Sequence, residues 1–484
     1  LVHGDNILDR KQELQKIRIQ DIDNNEPLPD EIVSMNGYLG AKPIQEALSN
    51  EADIVITGRC VDTALVLGPL MHEFNWSIND YDLLAAGSLA GHIIECGAQC
   101  TGGNYTDWHL VNEFENIGFP IVEVQKSGDF IVTKPDKTGG MVSFGTVAEQ
   151  FLYEIGDPNA YILPDVVCDF SQVKIKEIGQ DQVLVSGSKG LAPSSSYKVS
   201  TTYKDGFRVA ATLVIGGKNA LKKSKIVSKA ILSKTNRILE QKGIKKIEKT
   251  SISILGTDSI YGEKERAVDS REVVLRIMAI HKIKEALVIF SREIAQASTG
   301  MVSGVINFLG GRPSVSSSIK LYSFLLEKSF FEIKLDINGE ITPVNIELDG
   351  SYKYNHLESN RIIYEEFETD FSVPLQQLAF ARSGDKGNHA NIGVIARKPN
   401  YLPYIRNGLK PEIIADYFSH LLNGEINIWD VPGICGLNIL LKDSLGGGGM
   451  SSLRIDPQGK AYAQQLLEIP IPIKREILDQ EEKK

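Results

Sequence analysis

The sequence predicts an α/β domain, with a mixed, partly parallel sheet and a β-rich second half, followed by a smaller α+β domain. Three observations support this class. A continuous apolar run lies between helical segments near the start, as in buried parallel strands. From Pro120 onward, short apolar stretches alternate with polar turns. After the polar stretch 349–371, strands and helices return with the element content of small α+β sandwiches, ferredoxin-like ones included.

The first part of the chain is predicted to contain helices around one buried strand. Asn6 or Asp9 can begin a short first helix. The apolar run ADIVIT at Ala52–Thr57 is predicted to be a buried parallel strand. Further helices are predicted at Ala41–Ser49, Ala64–Phe74 and Tyr81–Gln99.

The middle of the chain is predicted to consist mostly of strands. Apolar stretches indicate strands in IVEV, DFIVTKP, MVSFG, YILPDVVCDF, VLVSG, Tyr197–Val214 and SISILG. A basic helix is predicted at Lys218–Lys242. Its lysines at 222, 223, 225 and 229 could bind an anion, although such charge runs more often form a solvated helix face. Arg271–His281 (strand), Lys282–Ala297 (helix) and Phe331–Ile337 (strand) are predicted to form a βαβ-like unit.

The domain boundary is predicted where the polar stretch ends, near Ser372–Pro374. Residues 1–371 would form the first domain and residues 372–476 the second, and 477–484 would be a disordered tail. In the second domain we expect strands at Gln377–Arg382, Ile392–Arg397 and Gly436–Lys442, and helices at Pro411–Leu422 and Pro457–Leu467.

Composition and charge exclude several classes of protein. The chain has 484 residues and a net charge of −10, which argues against nucleic acid as the main partner. Its five cysteines form no CxxC motif and indicate a reducing compartment, so we expect a cytoplasmic protein. No apolar run is long enough to span a bilayer, and we expect no membrane association. Because Leu1 is not Met and LVHGD resembles the end of a strand, we expect the chain to begin inside a domain.

The segment ARSGDKGNHANIGVIAR, Ala381–Arg397, is the strongest candidate for a functional site. It has the pattern of a strand, a polar loop and a second strand, and loops often carry functional residues. Its side chains supply cationic donors, a carboxylate and amides that both donate and accept. A polar hairpin whose side chains cap one another is the alternative. The candidates are Arg382, Asn388 and Asn391 for binding, and Asp385 and Lys386 for catalysis.

Arg59 and Asp62 follow the predicted buried strand and precede a predicted helix. In open α/β sheets, ligands bind outside the carboxyl ends of strands, close to helix N-termini that favour anions. Arg59 could therefore bind a carboxylate or phosphate, and Asp62 could orient Arg59 or act as a base. A helix-capping aspartate with a structural Arg–Asp pair is the alternative.

The tripeptide TGG occurs twice, each time in a polar turn. Such turns can present backbone N–H groups to an oxyanion or a phosphate, and the second one is flanked by lysines. A hairpin turn of this kind needs no function, however. The candidate binding residues are Thr101, Gly102, Gly103, Lys134, Thr138, Gly139 and Gly140.

The sequence SLGGGGM at 444–450 is a candidate lid or phosphate cradle. Ordering four consecutive glycines costs conformational entropy, so we expect this stretch to have a defined role in the folded protein. Gly447 and Gly448 are the candidates for ligand contact. The stretch lacks the GK[ST] ending of a P-loop. No GxGxxG after a strand, no GxSxG and no HExxH is present, so the common dehydrogenase, hydrolase and zincin classes are not supported.

His92 and Cys96 are spaced i, i+4, which is compatible with two metal ligands on one helix face. No third ligand is evident nearby. We therefore expect a packed core histidine and a buried thiol, and no metal site.

The chain resembles the acyclic terpene utilisation (AtuA-like) family over nearly its whole length. The matching stretches are VSMNGYLGAKPIQEAL, ADIVITGRCVDTALVLGPLMHEF, LAAGSLAGHIIECGAQCTGGNY, KPDKTGGMV, REVVLRI, ARSGDKGNHANIGVIAR and SLGGGGMSSLRIDPQGKAYAQ. The last two belong to a smaller domain that in the family resembles a ferredoxin-like fold. Family members usually begin earlier than the segment equivalent to Leu1, so we expect an N-terminal lobe to be absent here.

The resemblance implies a catabolic enzyme of acyclic terpene or branched-chain acid breakdown. It would act on an anionic acid or an acyl-CoA, with CoA entering only as part of the substrate. The candidate residues favour a lyase or hydratase, because such a step needs only acid–base groups and an oxyanion site and no organic redox cofactor. A homo-oligomer or a partner enzyme of the pathway is expected. The alternative is a non-catalytic accessory or scaffold subunit for an acyl-CoA carboxylase-type enzyme. A catalytic pocket should gather Arg59, Thr101 and Lys134, whereas a scaffold should leave them scattered and salt-bridged.

Overall fold

The computed structural model describes residues 1–348, 350–353, 364–365 and 368–479. The strands are Val2–His3 (β1), Ile32–Gly37 (β2), Ile121–Val124 (β3), Phe130–Thr133 (β4), Tyr161–Ile162 (β5), Val167–Asp169 (β6), Lys174–Gly179 (β7), Gln182–Ser186 (β8), Lys189–Leu191 (β9), Ser196–Gly216 (β10), Lys249–Leu255 (β11), Glu272–His281 (β12), Val305–Phe308 (β13), Val315–Glu327 (β14), Lys334–Ile337 (β15), Glu340–Pro343 (β16), Phe371–Pro374 (β17), Ala379–Lys386 (β18), His389–Ala396 (β19), Ile426–Val431 (β20), Gly436–Leu441 (β21) and Pro470–Ile473 (β22).

The helices alternate with these strands in both halves of the chain. They are Lys11–Lys16 (α1), Lys42–Ser49 (α2), Ala64–Phe74 (α3), Tyr81–Ile94 (α4), Phe144–Leu152 (α5), Ala220–Gln241 (α6), Lys284–Glu293 (α7), Ala297–Gly300 (α8), Leu402–Gly408 (α9), Pro411–Tyr417 (α10), Tyr462–Leu466 (α11) and Arg475–Asp479 (α12). Within the described ranges, none of them is both long and apolar enough to cross a bilayer.

The long strand β10 organises the first domain. It pairs along its length with β12, β13, β14 and β2, and β11 extends the sheet beyond β12. Helices α6 and α7 pack on this sheet around one apolar core. A second core joins α2–α5 to the small sheets β3-β4-β8-β7 and β5-β6-β9.

The second domain is a four-stranded antiparallel sheet in the order β18-β19-β21-β20, with its own apolar core. The β18–β19 hairpin confirms two strands joined by a turn in Ala381–Arg397. The predicted polar loop is wrong, because the strand pairing continues to the Lys386–His389 pair and leaves only Gly387 and Asn388 in the turn. Ile395, Val431 and Ile434 of this domain belong to the core that surrounds α4 and α5. The two domains are therefore packed against each other through shared apolar contacts.

The mixed α/β class is confirmed, as is helix α3 with its predicted bounds. The described strand ladders are all antiparallel, and parallel pairing occurs in isolated bridges such as that of Val2 with Thr57. The buried strand predicted at Ala52–Thr57 is wrong: this segment forms no strand, and Ile54 and Ile56 are 79% and 59% exposed. Apolar runs predict burial only where a neighbouring element covers them.

Two further predictions are wrong because tertiary contacts decided the local structure. The MVSFG stretch is no strand, because Ser143 caps helix α5, its side chain accepting from the Thr146 amide. No βαβ unit forms, because β12 pairs antiparallel with β10 and β11 while β15 belongs to another sheet with β1 and β16. The polar stretch at 349–371 and the tail at 477–484 lie largely outside the described residues, although 477–479 belong to α12.

Alternate residues of β18 point into the first domain. Arg382 forms a buried ion pair with Glu149 of α5, its Nη2 atom 2.9 Å from Oε2. It also donates to the backbone oxygens of Gln99 and Gly103. Gly384 follows, where a Cβ atom would lie 2.5 Å from the Tyr153 ring. Because side chains alternate along a strand, Lys386 also points toward the first domain.

A second ion pair joins the domains at the open end of the hairpin, just after strand β19. Arg397 makes a bidentate contact with Asp107, at 2.6 and 2.7 Å. Between the two pairs, the Thr106 hydroxyl group exchanges hydrogen bonds with the backbone of Ala381. These contacts fix the position of β18 relative to the first domain.

We predict that Arg382→Met lowers the free energy of unfolding by about 3–5 kcal/mol, because it leaves Glu149 buried without its counter-charge. Burial already raises the pKa of Glu149, and Arg382 opposes that effect. The double variant Arg382→Met/Glu149→Gln removes the orphaned charge and should recover much of the loss. Urea unfolding measures both. Equal destabilisation of the single and double variants would contradict this account of the pair.

Candidate functional site

Lys386 lies at the centre of a cluster of charged and phenolic side chains between the two domains. Its Nζ atom is 5.1 Å from the centroid of the Tyr161 ring and makes a hydrogen bond to that side chain. Burial lowers the pKa of Lys386, but Tyr161, Glu154 and Glu95 outweigh it and raise the pKa overall. The ammonium group therefore stays charged. We call Arg59, Asp62, Glu95, Glu154, Tyr161, Lys198 and Lys386 the Lys386 cluster.

Asp62 is the carboxylate of this cluster that is best suited to act as a base. Partial burial and the nearby charge of Glu95 raise the pKa of Asp62, while Arg59 and Lys386 oppose the increase. A carboxyl group whose pKa is raised in this way is closer to the pKa range of general bases that work at neutral pH. The structure thus brings Arg59, Asp62 and Lys386 together.

A buried carboxylate holds the loop that carries Arg59. Asp5, only 7% exposed, accepts hydrogen bonds from the Arg59 amide and from Asn36, both at 2.8 Å. Gly58 precedes Arg59, and a Cβ atom there would lie 2.0 Å from the Asp5 carboxylate, so only glycine fits. The Arg59 guanidinium group is exposed, 5.6 Å from the centroid of the Tyr38 ring. It is therefore accessible to a ligand.

Lys198, on strand β10, adds a second lysine from the first domain. Its side chain is accessible to solvent, yet desolvation and the charge of Lys386 lower its pKa. The charge of Asp23 partly opposes this lowering of the Lys198 pKa. Asp23 also lies 3.7 Å from His389 of the second domain.

Glu154 occupies the edge of the cluster in a left-handed backbone conformation, with φ of +58°. Such a conformation is uncommon for a residue with a side chain, and Asn391 holds it by accepting from the Glu154 amide at 2.8 Å. Lys460 lies 3.6 Å from the Glu154 carboxylate. Asn391 thereby positions a cluster residue and is itself buried, with bonds to Leu152 and Asn438.

Both TGG turns are structural in this fold. Thr101 is buried and donates to the oxygen of Gly118, and the Gly103 amide donates to Ala98. The amides of Gly139 and Gly140 donate to Asn116 and Asn112. These donors are used within the chain. Gly102, with φ of +109°, packs against the Val111 side chain, so this turn also serves packing.

The lysine beside the second TGG turn is engaged within its own loop. Lys134 donates to the oxygen of Thr138 at 2.9 Å and lies 3.6 Å from Asp181. The Thr138 hydroxyl group donates to Pro135. The two TGG turns lie against each other through the bond from the Met141 amide to Thr101, at 2.9 Å. They are not brought together with Arg59.

The glycine-rich loop of the second domain packs on the β18–β19 hairpin. The Gly447 amide donates to the Asn388 side chain at 2.6 Å, and a Cβ atom at Gly448 would lie 2.5 Å from the Gly387 oxygen. The loop also faces the first domain, because Arg208 donates to the oxygen of Met450 at 2.6 Å. It therefore closes one side of the interdomain contact.

Asp385 and Asn388 are engaged within the second domain. Asp385 accepts from Gln458 at 3.1 Å, on the side of β18 opposite to Lys386. Asn388 donates to Asp443 at 3.0 Å. Neither side chain contacts the first domain through these bonds, so Lys386 is the hairpin residue that faces the cluster.

His92 is a packed core histidine, as expected. It is 1% exposed, with Nε2 3.1 Å from the oxygen of Phe151 and Nδ1 3.3 Å from the Glu95 carboxylate. Glu95 directly follows helix α4, and its charge acts on both Asp62 and Lys386. Among the described residues, no group of three or more histidine, cysteine, aspartate or glutamate side chains is arranged to hold a metal ion.

Sequence reasoning missed Lys198 and Tyr161 as members of the Lys386 cluster, and it missed Tyr38, whose ring lies beside Arg59. They lie in strands or beside them, far apart along the chain, and carry no motif. Alternation along β10 could have identified Lys198 as a polar residue between the buried Tyr197 and Val199. Its proximity to Lys386 depends on how the domains pack, which no local pattern encodes.

We predict that Asp62→Asn makes the protein more stable at pH 7 and leaves its stability nearly unchanged at pH 4. A carboxyl group whose pKa is raised by folding contributes stability below its ordinary pKa of 3.8 and loses it as the pH rises through the folded value. The asparagine variant does not undergo that loss. Urea unfolding at several pH values measures it, with the exposed Asp53→Asn as control. The prediction would be contradicted if the difference in the free energy of unfolding between variant and wild type did not increase from pH 4 to pH 7.

The comparisons with known proteins agree with this architecture. Residues 1–337 match the family model of the acyclic terpene utilisation family protein AtuA, and residues 373–472 match that of the AtuA ferredoxin-like domain. Searches of curated proteins and of solved structures found no match. Because the first match alone covers more than half of the sequence, the chain belongs to the acyclic terpene utilisation (AtuA) family and carries its ferredoxin-like domain.

Proposed function

We propose that this protein is an acid–base enzyme of acyclic terpene breakdown that acts on a branched-chain acid or its CoA thioester as a lyase or hydratase. The observation that carries the proposal is the proximity of Asp62 of the first domain to Lys386 of the second, close enough for their charges to interact. The family's description connects it with the use of acyclic terpenes. We propose a cytoplasmic location and CoA as part of the substrate.

The proposed roles follow from the charges of the cluster. Arg59 and Lys198 would bind the carboxylate or phosphate of the substrate, because both are accessible and cationic. In the dehydration direction, Asp62 would take the proton from the carbon next to the carbonyl group, and Lys386 would stabilise the negative charge that develops on the carbonyl oxygen. Tyr161, which burial keeps protonated, would give a proton to the departing hydroxide.

An accessory subunit without catalytic activity is the second candidate. Thr101 and Lys134 do not join Arg59, and Lys134 is salt-bridged, which is the pattern expected of a scaffold. Ile54, Ile56 and Leu65 near the Arg59 loop are exposed by 79%, 59% and 56%. A partner enzyme or a second copy of the chain could cover these side chains.

For the enzyme, we predict that Lys386→Met and Asp62→Asn each lower the rate of water addition to a branched 2,3-unsaturated acyl-CoA by about 10²–10⁴-fold. Loss of the unsaturated thioester's absorbance measures the rate. Lys442→Met is the matched control, since Lys442 pairs with Glu425 on the sheet of the second domain. Full activity of either cluster variant would overturn the assigned roles.

We also predict that citronellate or its CoA thioester stabilises the wild type by about 2.7 kcal/mol at a hundredfold excess over its dissociation constant. Thermal unfolding measures the shift, with free CoA and unbranched acetate as comparisons. Arg59→Ala and Lys198→Met should each reduce it, because each removes a cation that would bind the ligand. No stabilisation by any of these compounds would favour the accessory role.

A further inference from the structure

A groove of about 530 Å³ lies between helix α6 and strand β11, on the sheet organised by β10. Its lining includes none of the residues of the Lys386 cluster. The volume falls within the range of small-molecule sites. The groove is therefore separate from the site of the proposed function.

One face of α6 forms the long wall of the groove. Leu221, Lys225, Ser228, Leu232 and Asn236 line it, at the spacing of successive helical turns. At 1.5 Å per residue, the wall is about 22 Å long. An extended ligand can therefore lie along the helix.

The opposite wall is apolar and belongs to an open edge of the sheet. Strand β11 pairs with β12 and ends the sheet on this side. Ile252 and Ile254 line the groove, and Ile252 is 44% exposed. Leu221 and Leu232 of α6 lie across the groove from these two isoleucines. Together the four side chains form an apolar floor, which contacts water unless a ligand covers it.

Two lysines of helix α6 also line the groove. Lys225 and Lys229 are exposed and line the groove, and among the described residues neither makes an ion pair. Lysines further along the same helix differ, since Lys234 and Lys242 pair with Glu293 and Glu285. Glu265 is the acidic residue of the lining and would oppose an anion at its end of the groove.

We propose that this groove binds an aliphatic carboxylate. The hydrocarbon chain would lie on Leu232, Ile252 and Ile254, and the carboxylate would be held by Lys225 and Lys229. An apolar floor beside uncompensated positive charge is complementary to such an amphiphile, which buries its chain and keeps its charged end at the rim. The hydroxyl group of Ser259, a buried oxygen of the lining that has no hydrogen-bond partner among the described residues, adds a donor.

Isothermal titration of the full chain with decanoate tests the proposal. The charge-reversed variant Lys225→Glu/Lys229→Glu should bind decanoate at least about tenfold more weakly, because two attractive charges become repulsive. Lys218→Glu/Lys222→Glu is the matched control, with the same change of charge outside the lining. It should bind within about twofold of the wild type. Equal thermal unfolding temperatures of the two variants establish that both fold.

Two further measurements distinguish an aliphatic carboxylate from other ligands of the groove. Decanol, with the same chain and no charge, should bind far more weakly than decanoate. Ile252→Glu should weaken decanoate binding, because it places a carboxylate on the apolar floor. No saturable decanoate binding, equal weakening in both lysine variants, or decanol binding as tight as decanoate would each overturn the proposal.

Discussion

The buried ion pair between Arg382 and Glu149 is the contact on which the candidate site depends. Glu149 is fully buried within α5, and a carboxylate in that position needs a cation brought to it. The cation comes from β18 of the other domain, so the strand can dock in one register only. A shift of one residue would turn Arg382 away from the first domain and place Ser383 against Glu149. The same register sets Lys386 opposite Tyr161.

The two cations of β18 show why similar residues have different roles. Arg382 and Lys386 lie on the same face of the strand, four residues apart. Arg382 uses its donors on Glu149 and on backbone oxygens and is 4% exposed. Lys386 is partly exposed and lies close to the carboxylates of Glu95 and Glu154. The first residue is used for docking, and the second remains available for chemistry.

The parts that the sequence predicted well are those decided by local patterns. Helix α3 has an apolar face and clear ends, and the β18–β19 hairpin has alternation with a glycine turn at Gly387, whose φ is +64°. The parts that failed needed knowledge of neighbours. Ala52–Thr57 has the composition of a buried strand but is left partly uncovered. The TGG turns have the composition of anion nests, but their amide groups are used by nearby carbonyl oxygens. The membership of Lys198 in the site follows from domain packing alone.

The charges of the cluster also indicate how a ligand would affect the fold. Lys198 of the first domain and Lys386 of the second repel each other, and the pKa of Lys198 falls in part for that reason. The apolar contacts and the two interdomain ion pairs hold these ammonium groups near each other despite that repulsion. An anion placed between them removes the repulsion and adds attraction to both domains. Binding of an anion between Lys198 and Lys386 would therefore be coupled to tightening of the domain contact, and a variant that loosens the contact would weaken binding without touching the ligand.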